Sequence, residues 1–153
     1  QAYYGVTLVS GVYSSDRTWR KSESPYLVTG DVEVNNGAKL TIEPGVEVRF
    51  IAPSELASGD DRSSGRDGNR SELRIINGST LHAVGTPEEP IILRSNNDVQ
   101  VGDSTSAGDW WGIYGQQNPK VRIEYSEIKG SIYGLYLDDV RGSVLDTMII
   151  RNN

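Results

Sequence analysis

Apolar and polar residues alternate with a period of two through "GDVEVNNGAKLTIEPGVEVRF", Gly30 to Phe50. Val32 and Val34 share a side, Leu40 and Ile42 continue it after a turn at "NNG", and Val46, Val48 and Phe50 follow a second turn at "EPG". Between them Glu33, Lys39, Thr41, Glu47 and Arg49 take the opposite side. This period predicts short strands with an apolar interior and a charged exterior, because successive side chains of a strand point to opposite faces. The turns carry no consistent hairpin signature. Three short strands joined by tight corners describe one coil of a solenoid, and helical periodicity is almost absent.

Self-similarity supports the same reading. "IINGSTLHAVGTPEEPIILRS" repeats the logic of "EVNNGAKLTIEPGVEVRF", with Gly78 matching Gly37 and Leu81 matching Leu40. Further on, "IEYSEIKG" lies over "LDTMIIRN": Ile123 with Leu145, Glu124 with Asp146, Ile128 with Ile150 and Lys129 with Arg151, an offset of 22 residues. That offset suits one circumference of a parallel β-solenoid. The polar, glycine-rich stretch from Ser54 to Ser71 reads as a loop thrown out between coils, and "NNDVQVGDSTSAGD" as a shorter excursion. The expected architecture is all-β: a single domain over 1–153, a parallel β-helix of about four coils with a long polar loop at about 54–71.

Composition narrows the partners. The 153 residues carry a net charge of −6, which recommends neither nucleic acid nor an anionic membrane surface. No apolar stretch is long enough to span a bilayer. There is no cysteine, so disulfides are excluded. No signal peptide is visible, and a start at "QAYYG" without methionine is what a processed, exported chain would show. Seventeen glycines and six prolines suit a turn-rich β protein.

The order "SPYLVTGDVEVNNGAKLTIEPGVEVRF", "LHAVGTPEEPIILRS", "GDWWGIY" and "VRIEYSEIKGSIYGLYLDDV" closely resembles the right-handed parallel β-helix repeat proteins of the pectate-lyase-like fold, from about Trp19 to the C-terminus. Members occur among secreted and cell-surface proteins of bacteria and archaea. The resemblance implies the fold strongly and a secreted, extracellular location. It implies activity hardly at all, since this architecture carries lyases, hydrolases, adhesins and inert stalks. Members are usually longer than this chain.

The chain stops partway round a coil. After "IIRN" only Asn153 remains, whereas "EIKG" in the preceding coil is followed by "SIYGLYLDDV". "YGVTL" near the N-terminus has the pattern of "YGLYL", so joining end to start would make a further coil, with two extra residues at the splice. A solenoid cut open leaves apolar core and a row of backbone groups exposed. Strand addition from a second copy would cover both, and a contact that does not close propagates as a filament. The leading expectation is therefore a structural subunit that polymerises head to tail, with residues 1–12 as a donor strand. Tyr3, Tyr4, Val6 and Leu8 would meet Val144, Leu145, Met148, Ile149 and Ile150 of the next copy. Val144, Met148 and Ile149 replace Arg122, Ser126 and Glu127 of the coil before, which places apolar groups where water is expected. A second reading makes the chain the N-terminal portion of a longer surface β-helix protein, an adhesin or stalk. A polysaccharide lyase or hydrolase comes third.

Candidate chemistry is thin. Asp138 and Asp139 are adjacent, and neighbouring strand residues share a site only at a corner. Asp60, Asp61 and Asp67, with Asn69 and Glu72, match no calcium loop closely. No cofactor or metal site is expected, and no catalytic residue. His82 alternates with Leu81 and Ala83, faces outward and has no partner set. Trp110, Trp111 and the tyrosines could stack on sugar rings, but packing at the start of a coil explains the tryptophans better. Two sequons, at Asn69 and Asn77, are candidate N-glycosylation sites, with Asn69 in the exposed loop favoured.

Overall fold

A computed structural model describes residues 5–52, 70–97, 108–139 and 142–151. Twelve strands, all paired in parallel, wind into a three-faced coil. Parallel crossover connections of this kind are right-handed almost without exception. β1 (Thr7–Tyr13) and β3 (Tyr26–Val34) bend from the first face onto the second. β5 (Glu47–Phe50) and β8 (Ile91–Ser95) extend the first face. β6 (Glu72–Ile76), β9 (Gly112–Gln116) and β11 (Leu135–Leu137) extend the second. β2 (Arg17–Trp19), β4 (Lys39–Ile42) and β7 (Thr80–Val84) form the third, and β10 (Lys120–Lys129) and β12 (Val144–Arg151) bend from the third face onto the first.

Among the described residues this makes five rungs on the second and third faces and six on the first. The coil therefore runs to five turns and one face more, where about four were expected. Both expected excursions leave at the corner between the first and second faces, one after β5 and one after β8. Most of their residues, 53–69 and 98–107, lie outside the described residues.

Alternation along each strand aims one set of side chains into the tube, and parallel pairing stacks that set rung on rung. Val32, Leu73, Ile113 and Leu135 form one inward column, and Ile42, Ala83, Ile123 and Leu145 another. Tyr26, Val48, Leu93, Ile128 and Ile150 form a third. Each well-buried aliphatic member contributes about 1.5–3 kcal/mol relative to exposure. Trp110 plugs the widened corner, fully buried and stacked on Phe50 with centroids 3.8 Å apart at 9°. Its Nε1 donates to the Lys129 carbonyl at 2.9 Å. The corners need left-handed backbone: Asn36 and Gly37 have φ of 58° and 74°, and Asn77 and Gly78 repeat this at 53° and 70°. Asparagine and glycine are the residues that tolerate it.

Candidate functional sites at the coil ends and on the second face

Among the described residues β12 is the last rung of the third and first faces. Leu145 and Ile150 point inward over Ile123 and Ile128, which are fully buried, yet they remain 47% and 45% exposed. No strand among the described residues pairs with the outer edge of β12. Val144 and Ile149 stack over the outward Arg122 and Glu127 and are 44% and 57% exposed. Ile149 borders a shallow apolar hollow of about 220 Å³ with Pro87, Pro90 and Tyr125. Met148 departs from expectation. It lies over the buried Ser126 and packs against the core. Thr147, with φ of 48°, turns the chain between faces and resets the alternation, as Tyr125 does one rung below with φ of 46°.

The N-terminal end is arranged differently from the expected free arm. β1 pairs with β3 of its own chain, Thr7 with Tyr26 and Leu8 with Leu27, and the Thr7 amide donates to the Pro25 carbonyl at 2.9 Å. Val9 and Tyr13 pack on the core, while Leu8 faces out at 55% exposure. Val6 precedes this strand and is half-buried. Tyr3 and Tyr4 lie outside the described residues. Aromatic rings fill this end of the tube. Trp19 is buried, stacked on Tyr26 at 5.2 Å and met edge-on by Tyr13 at 6.4 Å. The Tyr26 hydroxyl accepts from the Arg20 amide at 2.7 Å and donates to Glu23 at 2.8 Å. Burial, and then that bond to Glu23, push its pKa up to about 12. A polar hollow of about 390 Å³ lies beside this cluster.

The two ends do not match as flat surfaces. β11 is the last rung of the second face, and β12 then supplies the last rungs of the third and first faces in turn. β1 begins on the first face and continues onto the second. A second copy that laid Thr7–Val9 along Met148–Ile150 would carry its Gly11–Tyr13 to a level two rungs above β11, leaving a rung empty on the second and third faces. Laid directly on β11, Gly11–Tyr13 would bring Thr7–Val9 into the level that Met148–Ile150 already fills.

The remaining candidate residues carry little chemistry. His82 sits on the outer third face between Thr41 and Arg122, where burial and then Lys39 and Arg122 hold its pKa below the ordinary value. Asp138 and Asp139 are exposed at the corner after β11. Glu72 belongs to no loop: it is buried on β6 and accepts from Arg74 Nη1 at 2.8 Å. Asp60, Asp61, Asp67 and Asn69 lie outside the described residues. Among the described residues no three acidic or histidine side chains cluster as a metal site would require. Asn77 is exposed, and its Nδ2 donates to Asn35 Oδ1 at 2.7 Å. The tryptophan pair divides: Trp110 is core, whereas Trp111 packs with Tyr114 on the outside of the second face. The adjacency of the two indoles in "WW" fits opposite sides of the sheet, and what the sequence does not mark is which of them is core.

A family model described as a pectate-lyase-like β-helix domain matches residues 11–143. Protein bark beetle of Drosophila melanogaster is 42% identical over 92 residues, covering 60% of this chain and 2% of that protein. This chain thus corresponds to a very small part of the length of the curated relative that it matches. No solved structure matches significantly.

Proposed function

The chain belongs to the pectate-lyase-like β-helix family, and from that premise we propose that it is a non-catalytic block of coils in a longer extracellular protein, its open end the seat of the next coil. The observation that carries this reading is the state of β12. Leu145 and Ile150 stand in register above two fully buried residues, yet are nearly half exposed. An inward column that ends on half-exposed aliphatic side chains, beside a strand edge with unpaired backbone groups, calls for another parallel rung. The small share of the fly relative that the chain matches agrees with a modular role. The extracellular setting rests on the resemblance to secreted β-helix proteins.

Head-to-tail assembly into a filament is the competing reading, favoured by the same exposed residues and by the outward Val144 and Ile149. The in-chain pairing of β1 and the mismatch in level between the two ends weigh against it. A filament of this chain would need a segment about two faces long to fill each junction.

Sequencing the complete transcript separates the two. Under the block reading, the frame continues past Asn153 with apolar residues about 22 positions after Leu145 and Ile150, matching the spacing between Ile123 and Leu145. A stop codon shortly after Asn153 would overturn it.

A further inference from the structure

Two corners between the second and third faces carry the pair Asn-Gly, and the structure treats the two pairs differently. Asn36 and Gly37 form the centre of a turn that the Ala38 amide closes by donating to the Asn35 carbonyl at 3.1 Å. Asn77 and Gly78 repeat it one rung higher, the Ser79 amide donating to the Ile76 carbonyl at 3.2 Å. All four residues have positive φ, the backbone that selects this pair in a tight turn. Both asparagines are exposed, and a Cβ built at either glycine would meet nothing within 4 Å. Each corner has rungs on both sides of it, so neither depends on where the coil ends. Hydrogen bonding separates them. The Gly78 amide donates to the Gln117 carbonyl at 2.9 Å, and Asn77 Nδ2 donates to Asn35 Oδ1 at 2.7 Å. At the other corner the Asn36 amide donates to Asn35 Oδ1 at 2.6 Å, but among the described residues no partner holds the Gly37 amide or the Asn36 carboxamide.

We propose that Asn36 is a site of spontaneous deamidation, passing through a succinimide to aspartate and isoaspartate, and that the fold protects Asn77 from the same reaction. The Gly37 nitrogen gives up its proton to base and attacks Asn36 Cγ. The bond from Cγ to the Gly37 nitrogen forms, the bond from Cγ to Nδ2 breaks, and Nδ2 leaves as ammonia after taking a proton from water. A water molecule then opens the ring. Attack at the side-chain carbonyl gives aspartate, and attack at the main-chain carbonyl gives isoaspartate, with the chain rerouted through the β-carbon. Glycine leaves the approach open because it has no Cβ beside its nitrogen. At Asn36 both reacting groups are free to turn toward each other. At Asn77 the nitrogen and the carboxamide must first leave Gln117 and Asn35. Two hydrogen bonds of ordinary net strength slow such a step about tenfold to hundredfold. The aspartate product suits the corner, since aspartate also tolerates left-handed backbone.

The test is peptide mapping by mass spectrometry during storage of the chain in mildly alkaline buffer, with isoaspartate read independently by enzymatic methyl transfer. Production in bacteria leaves Asn77 without a glycan, so the two sites are compared bare. The expected result is conversion of the Asn36 peptide at a rate that rises with pH and exceeds that of the Asn77 peptide about tenfold to hundredfold. In urea the two peptides should convert at rates within about threefold of each other, because unfolding removes the bonds that distinguish them. Equal rates at the two sites in the native chain, faster conversion at Asn77, or an Asn36 peptide that stays unchanged would overturn the proposal. None of these outcomes bears on whether further coils follow Asn153.

Discussion

Gly112 has φ of 131°, a region that side-chain-bearing residues rarely adopt, and a Cβ built there would lie 2.9 Å from the Gly134 carbonyl oxygen on the rung above. Strain and collision act together, so Gly112→Ala should lower unfolding free energy by about 2–4 kcal/mol, measured by urea titration. At this scale the alternating pattern was informative where the backbone stayed extended. Val32, Val34, Leu40, Ile42, Val46, Val48 and Phe50 are all buried, and the charged residues between them face outward. It failed at Met148 because Thr147 steps into the left-handed region. Nothing in "DTMII" marks that step, since threonine is no usual turn residue there.

Among the elements, the match between the last two coils was legible residue by residue: Ile123 with Leu145, Glu124 with Asp146, Ile128 with Ile150 and Lys129 with Arg151 are all paired in the structure. The number of coils was not legible, because excursions after β5 and β8 stretch the spacing and hide the repeat. Charges across neighbouring strands also escape a single-strand reading. Glu47 of β5 bonds Arg49 on its own strand at 2.8 Å and Arg94 of β8 at 2.6 Å. Burial alone would raise the Glu47 pKa, but these two guanidinium groups outweigh it and hold the carboxyl below its usual value. A depressed native pKa means a contribution present above the unfolded value, about 4.3, and lost as pH falls through the native value. Glu47→Gln should therefore cost under about 1 kcal/mol at pH 7 and nothing once both chains are at the acid end of that window, as followed by thermal melts across pH.

For the whole molecule, the two ends differ in finish. The N-terminal rung is backed by a buried Trp19 stacked on Tyr26, while the C-terminal rung leaves Leu145 and Ile150 nearly half exposed. The pairing of β1 within its own chain was not legible, because "YGVTL" resembles "YGLYL" without sharing its face. The edge strand of a solenoid opens readily when nothing lies above it. Amide hydrogen exchange across Val144–Arg151, compared between this chain and the full-length protein over a hundredfold range of concentration, addresses the end directly. The expected result is rapid exchange in the isolated chain at every concentration and strong protection in the full-length protein. Protection that appears in the isolated chain as its concentration rises would instead mean that copies of the chain cover each other's ends, and would contradict the block reading.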